Sequence, residues 1–261
     1  MRSVMPTAGR EKLMNNAQQS SLWTPAIRSA KRTSCGKVRS INEDRILARP
    51  EIGLWAVADG MGGHRAGDYA AQRLVDALDH VTPHASAFTY LNATLETIRG
   101  VNAALVDESA RNPQRKGMGT TLVALLVYDA HVACIWAGDS RAYRWRDGTL
   151  EQLTTDHSLV QALIDHGEID AHERQRHPQS HVITKAIGVF PDLELDKTFS
   201  MILPGDKFLI CSDGLSNCIP DEVLADELAV PMEVSLQADA LLHTAMETKA
   251  ADNISFVLLH A

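Results

Sequence analysis

The sequence predicts an α+β protein in which antiparallel β-sheet is covered by helices. From Thr120 the chain is almost continuously strand-like, and its strand segments are separated by turns too short for the crossover that parallel neighbours need. Residues 66–81 and 88–111 place apolar side chains at helical spacing along one face. Each of these helices needs a sheet face to cover, because a single apolar stripe is not stable alone in water.

The predicted elements alternate in blocks along the chain. Residues 41–48 and 52–58 form antiparallel strands joined by a short turn, and the two helices follow. The next strands are predicted in the segments TTLVALLVY, HVACIWAG, AYRWR and TLEQLT. Asp147-Gly148 between the last two is a strong hairpin signal, because a type I′ turn needs positive φ at both central residues.

The remainder of the chain begins with a polar stretch. Residues 156–184 contain five histidines and only short helical patches, so we interpret them as an excursion from the core. Strand character returns at Ile202 and KFLIC, residues 235–248 form an amphipathic helix, and NISFVLLH is the closing strand. No unit of 20–50 residues repeats, which excludes solenoids and propellers.

The composition is that of a globular protein that does not bind nucleic acid. Its 261 residues are 45% hydrophobic and 22% charged, and such a chain can bury a core without disulfides or a structural metal. With 25 basic and 33 acidic side chains the net charge is −8, which disfavours binding to polyanions. We assign residues 1–24 to a flexible N-terminal tail and residues 25–261 to a single catalytic domain.

Cysteine usage and hydropathy predict a cytoplasmic protein without a membrane anchor. The four cysteines form no C-x-x-C pair, which favours a reducing compartment. The N-terminal segment lacks an apolar run of signal-peptide length, and residues 122–128, the most apolar run, are far fewer than the ~20 that a membrane span requires.

Five acidic residues at or near the ends of predicted strands or helices are the candidate functional residues. They are Asp44, Asp59, Asp139, Asp213 and Asp252. Any one of them could be an ordinary turn residue, since Asp-Gly and Asp-Asn are common turn chemistry. Five carboxylates brought to one end of packed sheets, however, would repel one another unless protonated or bridged by cations. An all-oxygen cluster suits the hard cations Mg²⁺ and Mn²⁺ rather than zinc.

The glycines after Asp59 support this interpretation. In the sequence Asp59-Gly60-Met61-Gly62-Gly63, the absence of Cβ atoms allows a backbone carbonyl to approach a cation. A phosphate-binding loop is the alternative, but the segment lacks the lysine and the spacing of a P-loop.

Seven motifs, in order, resemble those of the metal-dependent protein serine/threonine phosphatases of the protein phosphatase 2C type. They are VRSINED (38–44), DGMGG (59–63), GMGTT (117–121), AGDSRAY (137–143), LTTDHS (153–158), CSDGLSN (211–217) and ADNIS (251–255). The resemblance extends from about residue 27 to the end, and the GMGG form is similar to the compact bacterial branch. It implies a four-layer αββα sandwich of two antiparallel β-sheets flanked by helices, with two metal ions at one edge.

The resemblance also implies which residues hold the metals. Asp59 would bridge two Mn²⁺ or Mg²⁺ ions, and the Gly60 carbonyl would bind one of them. Asp213 and Asp252 would hold the other ion. Asp139, together with Asp213, would form a third and weaker site.

Outer-shell and substrate contacts follow from the same resemblance. Asp44 and Glu43 would lie in the outer shell and order metal-bound waters. Arg39, five residues before Asp44, would bind the substrate phosphate, since a planar guanidinium can contact two phosphate oxygens at once. A surface arginine without this role is the alternative.

The donor of the leaving-group proton is the point at which this sequence departs from its eukaryotic relatives. Those enzymes have a histidine directly after Asp-Gly, where this chain has Met61. We name His64 as the candidate acid, because the pKa of histidine suits proton donation near pH 7. A metal-bound water is the alternative donor, with His64 a solvated side chain.

The histidines between residues 157 and 181 are expected to be solvated loop residues rather than zinc ligands, because their spacings follow no single helical face. In the family, residues 156–184 resemble the flap beside the active site, which would touch protein substrate. Ser140 is not expected to act as a nucleophile, because no base-and-orienter pair accompanies it.

The function predicted from all of this is metal-dependent hydrolysis of phosphoserine and phosphothreonine on proteins, which opposes a serine/threonine kinase. The expected partners are phosphorylated proteins, with no nucleic acid, no membrane and a monomeric chain. One alternative is a catalytically silent phosphatase-like binding module, which the intact aspartates disfavour. The other is a two-metal phosphodiesterase, which the net charge disfavours.

Overall fold

The structure is a computed structural model that describes residues 26–62, 66–83 and 85–261. The strands of these residues are β1 (Arg28–Ser34), β2 (Asp44–Arg49), β3 (Leu54–Met61), β4 (Gly119–Thr120), β5 (Leu122–Tyr128), β6 (His131–Ala137), β7 (Arg141–Arg146), β8 (Thr149–Gln152), β9 (Asp196–Met201), β10 (Lys207–Cys211) and β11 (Ile254–His260). The helices are α1 (Ala66–Asp79), α2 (Ala87–Arg111), α3 (Leu159–Asp165), α4 (Asp213–Ser216), α5 (Asp221–Ala229) and α6 (Val234–Glu247).

Two antiparallel sheets form the centre of the fold. One sheet has the order β1-β11-β10-β7-β8, and the other has the order β2-β3-β5-β6-β9 with the short β4 paired to β3. Helices α1 and α2 pack on the outer face of the second sheet, and α5 and α6 pack on the outer face of the first. The four-layer αββα sandwich predicted above is therefore confirmed.

Strand β3 shows how the sequence builds these layers. Leu54, Ala56 and Ala58 pack beneath α1 and α2, whereas Trp55 and Val57 pack between the two sheets. Successive side chains of a strand point to opposite faces. Because β3 has a hydrophobic layer on each side, its sequence is continuously apolar rather than alternating.

The predicted helices and turns lie close to their observed positions. Helices α1, α2 and α6 begin and end within two residues of the predicted bounds. Ser86 caps α2, because its hydroxyl accepts a hydrogen bond from the Thr89 backbone N–H at 3.2 Å. Asp147 and Gly148 have φ values of 50° and 82°, as the type I′ hairpin requires.

Other elements differ from the prediction or were not predicted. Strand β2 begins at Asp44 rather than at residue 41, because the preceding residues form a loop in which Asn42 Oδ1 accepts from the Asp44 backbone N–H. Ile202 lies just beyond the end of β9 rather than in a strand. The sequence analysis did not predict the edge strands β1 and β9, because both carry charged side chains and neither has a continuous apolar run. It also did not predict helix α5.

The predicted excursion leaves the core and returns to it at one place. Its ends are joined by backbone hydrogen bonds from Leu159 N to Val182 O and from Thr184 N to His157 O, at 2.9 and 2.8 Å. Between them lie α3 and the 3-10 helix Ala171–Arg176. We call residues 156–184 the flap segment.

Two predictions concern the organisation of the whole chain. The tail assigned to residues 1–24 lies outside the described residues, and the assignment of residues 25–261 to one domain stays a prediction. Among residues 26–62, 66–83 and 85–261, no helix is both long and apolar enough to cross a membrane.

Candidate metal centre

The five aspartates singled out in the sequence lie together where the ends of the two sheets meet. Asp44 and Asp59 face each other as paired residues of β2 and β3. Asp213 begins α4 after β10, Asp252 lies two residues before β11, and Asp139 lies in the turn between β6 and β7. Asp59 is close enough to all four others for their charges to raise the pKa of its carboxyl. The tertiary structure thus assembles one acidic cluster from distant parts of the sequence.

Two carboxylate oxygens of this cluster are buried without a hydrogen-bond donor among the described residues. They are Oδ1 of Asp44 and Oδ1 of Asp139. Buried polar atoms are almost always paired, so each such exception needs a structural or functional reason. An oxygen-binding divalent cation supplies one, since Mg²⁺ and Mn²⁺ take carboxylate ligands. The residues present therefore fit a metal centre.

Burial gives these acids strongly perturbed pKa values. It raises the pKa of Asp44 and of Asp213 to about 6 and that of Asp139 to about 7, and neighbouring carboxylates add to each shift. The pKa of Asp59 is also raised well above its usual range, again chiefly by burial. The charge of Asp252 raises the pKa of Asp213, and the charges of all four other aspartates raise that of Asp59. Because carboxylates this close together repel one another, the cluster must bind protons or cations.

The aspartate cluster is wider than a single compact metal site. Among the described residues, the three potential ligands whose atoms all lie within 4.8 Å of one another are Asp170, His172 and Glu173, which are exposed. Asp170 and Glu173 are engaged in capping the 3-10 helix of the flap segment. The wider spacing of the five aspartates leaves room for more than one ion. It also leaves room for the several waters that Mg²⁺ usually keeps in its coordination sphere.

Two threonines hold the backbone of Asp59. The Asp59 carbonyl accepts hydrogen bonds from the Thr121 backbone N–H at 2.8 Å and from Thr120 Oγ1 at 3.0 Å. The Asp59 backbone N–H donates to Thr121 Oγ1 at 3.1 Å, and that hydroxyl lies 2.7 Å from Ser140 Oγ. The sequence analysis noted the GMGTT motif and Ser140 but did not predict that they position Asp59. The signal for this role was the pair of adjacent threonines directly before the apolar strand β5.

Gly60 is required where helix α1 meets β3. A Cβ atom on Gly60 would lie 2.3 Å from the carbonyl oxygen of Gly67 and 2.7 Å from that of Glu43. Such distances are not tolerated, so the two backbones can approach only because both residues are glycine. Glu43 lies in the same contact, where its Oε1 accepts from the Asp68 backbone N–H in the first turn of α1, at 3.3 Å. The predicted outer-shell role of Glu43 remains a prediction.

Asn253 fixes the loop that carries Arg39 beside the cluster. Its side chain accepts from the Glu43 backbone N–H at 2.9 Å and donates to the carbonyls of Ile41 and Cys35 at 2.9 and 3.2 Å. Arg39 in turn donates from Nη2 to Asp252 Oδ2 at 2.8 Å. The sequence analysis selected the ADNIS motif because of Asp252 and did not predict a structural role for Asn253.

Arg39 is well placed to meet an anion at the aspartates. Its side chain is 57% exposed, and Asp252, Asp213 and Asp59 all raise the pKa of its guanidinium. Its one side-chain hydrogen bond leaves further N–H donors for a ligand. Among the described residues its guanidinium pairs with Asp252, and the phosphate-binding role of Arg39 stays a prediction.

His157 corrects one prediction. It is buried at 8% exposure, not solvated, because the flap segment folds back over it. Its Nδ1 accepts a hydrogen bond from the backbone N–H of Gly138 at 3.1 Å, and its Nε2 lies 2.8 Å from Asp196 Oδ2. Because Nδ1 accepts, Nε2 carries the proton in the neutral ring. His157 thus holds the residue directly before Asp139.

The remaining site predictions concern the other histidines of the flap segment and the residues that follow Gly62. His166, His172 and His181 are exposed, as expected of the flap segment. His64 and Gly63 lie outside the described residues, so the candidate proton donor stays a prediction.

Comparisons with known proteins agree with this architecture. The family model described as protein phosphatase 2C matches residues 33–249. The serine/threonine protein phosphatase PstP of Mycobacterium tuberculosis is 37% identical over 235 residues, which are 90% of this chain and 45% of that protein. The chain therefore spans less than half the length of that relative. The serine/threonine phosphatase stp of Listeria monocytogenes is 35% identical, over 87% of this chain and 93% of its own.

Solved structures give the same result. PppA, described as a key regulatory component of the T6SS in Pseudomonas aeruginosa, has a TM-score of 0.84 and 39% identity, covering 91% of this chain and 99% of its own. The catalytic domain of PstP in complex with 2 manganese ions has a TM-score of 0.80 and 36% identity, covering 90% and 97%. Family model, relatives and structures agree, and the chain belongs to the protein phosphatase 2C family.

Proposed function

We propose that this chain hydrolyses phosphoserine and phosphothreonine on proteins, with two Mn²⁺ or Mg²⁺ ions held by its aspartates. The observation that carries the proposal is the convergence of five aspartates at the meeting point of the two sheets, two of them with a buried oxygen that lacks a donor among the described residues. The named relatives support it, since they are described as serine/threonine phosphatases and one catalytic domain as a complex with manganese.

In this proposal, some residues bind the cations and others bind the substrate. Asp59 would bridge the ions, with the Gly60 carbonyl on one and Asp213 and Asp252 on the other. When bound, such cations lower the pKa of water and neutralise phosphoryl oxygens. The remaining assignments are Asp44 and Glu43 in the outer shell and Asp139 with Asp213 at a weaker third site.

Arg39 would orient the phosphoryl group of the substrate. The loop of Arg39 is pinned by Asn253, and the guanidinium of Arg39 lies beside the aspartates through its contact with Asp252. A guanidinium presents parallel N–H donors that match two phosphoryl oxygens.

His64 is our candidate for protonating the leaving serine or threonine oxygen. Aryl phosphates depart as stable phenolates and need little protonation, whereas a serine alkoxide needs a proton as the P–O bond breaks. We expect His64→Ala to slow phosphopeptide hydrolysis about 10²-fold while affecting an aryl phosphate much less. Equal losses on the two substrates would contradict this role.

The proposal also includes the cellular compartment, the oligomeric state and the opposing enzyme. We place the chain in the cytoplasm as a monomer that opposes a serine/threonine kinase in signalling. The four cysteines are free thiols, which suits a reducing compartment. Size-exclusion chromatography with light scattering would test the oligomeric state.

One assay distinguishes the proposed activity from its two alternatives. Purified protein is given a phosphopeptide, an aryl phosphate and DNA, each with Mn²⁺ and with EDTA. We expect both phosphate monoesters to be hydrolysed with Mn²⁺ and neither in EDTA, and DNA to remain intact. Asp59→Asn should abolish turnover while the protein still folds. A silent binding module would hydrolyse nothing, and a phosphodiesterase would cleave DNA.

A further inference from the structure

A cleft of about 290 Å³ opens beside the aspartate cluster, between it and the flap segment. Asp139 and Asp213 of the cluster contribute to its lining, as do Arg141, Asp156 and Arg174. The cleft therefore places the proposed metal ligands and two arginines on the walls of one cavity. Its volume is sufficient for an amino-acid side chain of a bound protein.

On the arginine side of this cleft, two guanidiniums share one carboxylate. Arg141 binds Asp156 through two donors, from Nε to Oδ1 at 3.0 Å and from Nη2 to Oδ2 at 2.7 Å, which is the strong bidentate pairing. Arg174 donates from Nη1 to the same Oδ2 at 2.6 Å. Two cations therefore share one carboxylate. Within the described parts of the chain, Arg174 forms no other ion pair, so its carboxylate partner is one that it shares with Arg141.

Arg174 is both fixed and accessible. Its Nη2 donates to the Gln161 side chain of α3, which orients the guanidinium within the flap segment. Its side chain is 23% exposed, whereas that of Asp156 is only 5% exposed. The guanidinium still has unused N–H donors, because two of its five are accounted for. Ser158 and Ser180 line the same cleft and add hydroxyl donors.

We infer that this cleft binds an anionic side chain of the substrate protein, a carboxylate or a second phosphoryl group, close to the phosphorylated residue. The inference rests on the proposed function and names a class of substrate for it. Cations held by Asp139 and Asp213 would remove the repulsion that those carboxylates would otherwise exert on an anion. The preference would come from Arg174, whose carboxylate partner Asp156 is shared with Arg141.

Matched phosphothreonine peptides test the inference. Each peptide carries a single Glu, its neutral isostere Gln, or the non-hydrolysable phosphonate analogue of phosphoserine at one of the positions flanking the phosphothreonine. We expect wild-type kcat/KM with Mn²⁺ to be about 3–10-fold higher for Glu than for Gln at one of these positions, and the ratio to fall as salt increases. A larger ratio for the phosphonate than for Glu would identify the second phosphoryl group as the preferred anion.

Two variants at Arg174 and one nearby control assign the preference. Arg174→Gln should reduce the Glu/Gln ratio to about 1, whereas Arg174→Lys, which keeps the charge, should retain most of it. Arg176→Gln removes the same charge from an exposed position of the same 3-10 helix that does not line the cleft, and should leave the ratio unchanged. Circular dichroism would verify that each variant is folded.

The outcomes separate this inference from the proposed function. Hydrolysis of the peptides with a Glu/Gln ratio near 1 at every position, or a ratio that survives in Arg174→Gln, would overturn the cleft assignment alone. Failure to hydrolyse any peptide or an aryl phosphate with Mn²⁺ would overturn the phosphatase proposal itself.

Discussion

The Ser212 hydroxyl donates a 2.8 Å hydrogen bond to Asp44 Oδ2 and so joins the end of β10 in one sheet to the start of β2 in the other. Ser212 Oγ also accepts from the Ser255 backbone N–H at 3.0 Å. Asp44 Oδ1 has no donor among the described residues. The Asp44 carboxylate is therefore held in part by a contact between the sheets.

Removing the Ser212 hydroxyl should destabilise the protein. We expect Ser212→Ala to lower the free energy of unfolding by about 1–2 kcal/mol, because a buried carboxylate and a buried N–H each lose a partner. Urea denaturation in EDTA measures the loss apart from metal binding. Ser200→Ala is the control, since the buried Ser200 hydroxyl has no hydrogen-bond partner among the described residues. An equal loss in both variants would contradict the account.

Without divalent cations, stability should fall as pH rises. Burial raises the pKa of Asp44 and Asp213 to about 6 and that of Asp139 to about 7, from 3.8. The folded protein therefore binds more protons than the unfolded chain between about pH 4 and pH 7, and loses stability across this window as pH increases. We expect the Tm in EDTA to be higher at pH 5 than at pH 8.

Mn²⁺ should reverse this pH dependence. At pH 8 the carboxylates are free to bind cations, so we expect Mn²⁺ to raise the Tm there, and to do so much less at pH 5, where protons compete. Asp139→Asn removes one titrating group and should flatten the profile in EDTA. A Tm in EDTA that increases steadily from pH 5 to pH 8 would show that the cluster is not protonated as described.

The contributions of the two ring nitrogens of His157 to stability should be distinguishable by substitution. His157→Asn offers an oxygen where Nδ1 accepts from Gly138, whereas His157→Gln reaches toward Asp196 and leaves the buried Gly138 N–H unpaired. We expect the glutamine variant to lose about 1–3 kcal/mol of unfolding free energy and to need more Mn²⁺ for half-maximal activity. The asparagine variant should be affected less. The reverse order would assign the main role to the contact with Asp196.

Arg39 should contribute to substrate binding and not to metal binding. Arg39→Ala should lose roughly 2–4 kcal/mol of transition-state stabilisation, measured as a fall in kcat/KM. Calorimetric titration should show Mn²⁺ binding at least as tightly, because Asp252 Oδ2 loses a competing partner. Lys37→Ala is a matched control, since Lys37 lies in the same loop and donates to the Thr248 carbonyl at 3.0 Å. An unchanged kcat/KM in Arg39→Ala would leave the arginine a surface residue.

Much of the architecture follows from local sequence pattern. The long apolar runs of β5 and β6, the amphipathic stripes of α1 and α2, and the Asp147-Gly148 turn were predictable, because periodicity and turn geometry depend on neighbouring residues. The edge strands β1 and β9 were not. Their pairing partners, β11 and β6, lie far away in the chain, and pairing rather than composition makes them strands.

The sequence by itself determined the candidate residues, since the five aspartates and Arg39 are recognisable from their motifs. Only the tertiary structure decided how they are held: by Ser212 across the sheets, by Asn253 from the neighbouring loop and by His157 from the flap segment. It also decided that Arg141 and Arg174 share Asp156. Such contacts join residues remote in the chain, and burial, which shifts their pKa values and makes their hydrogen bonds strong, exists only once the sheets have packed.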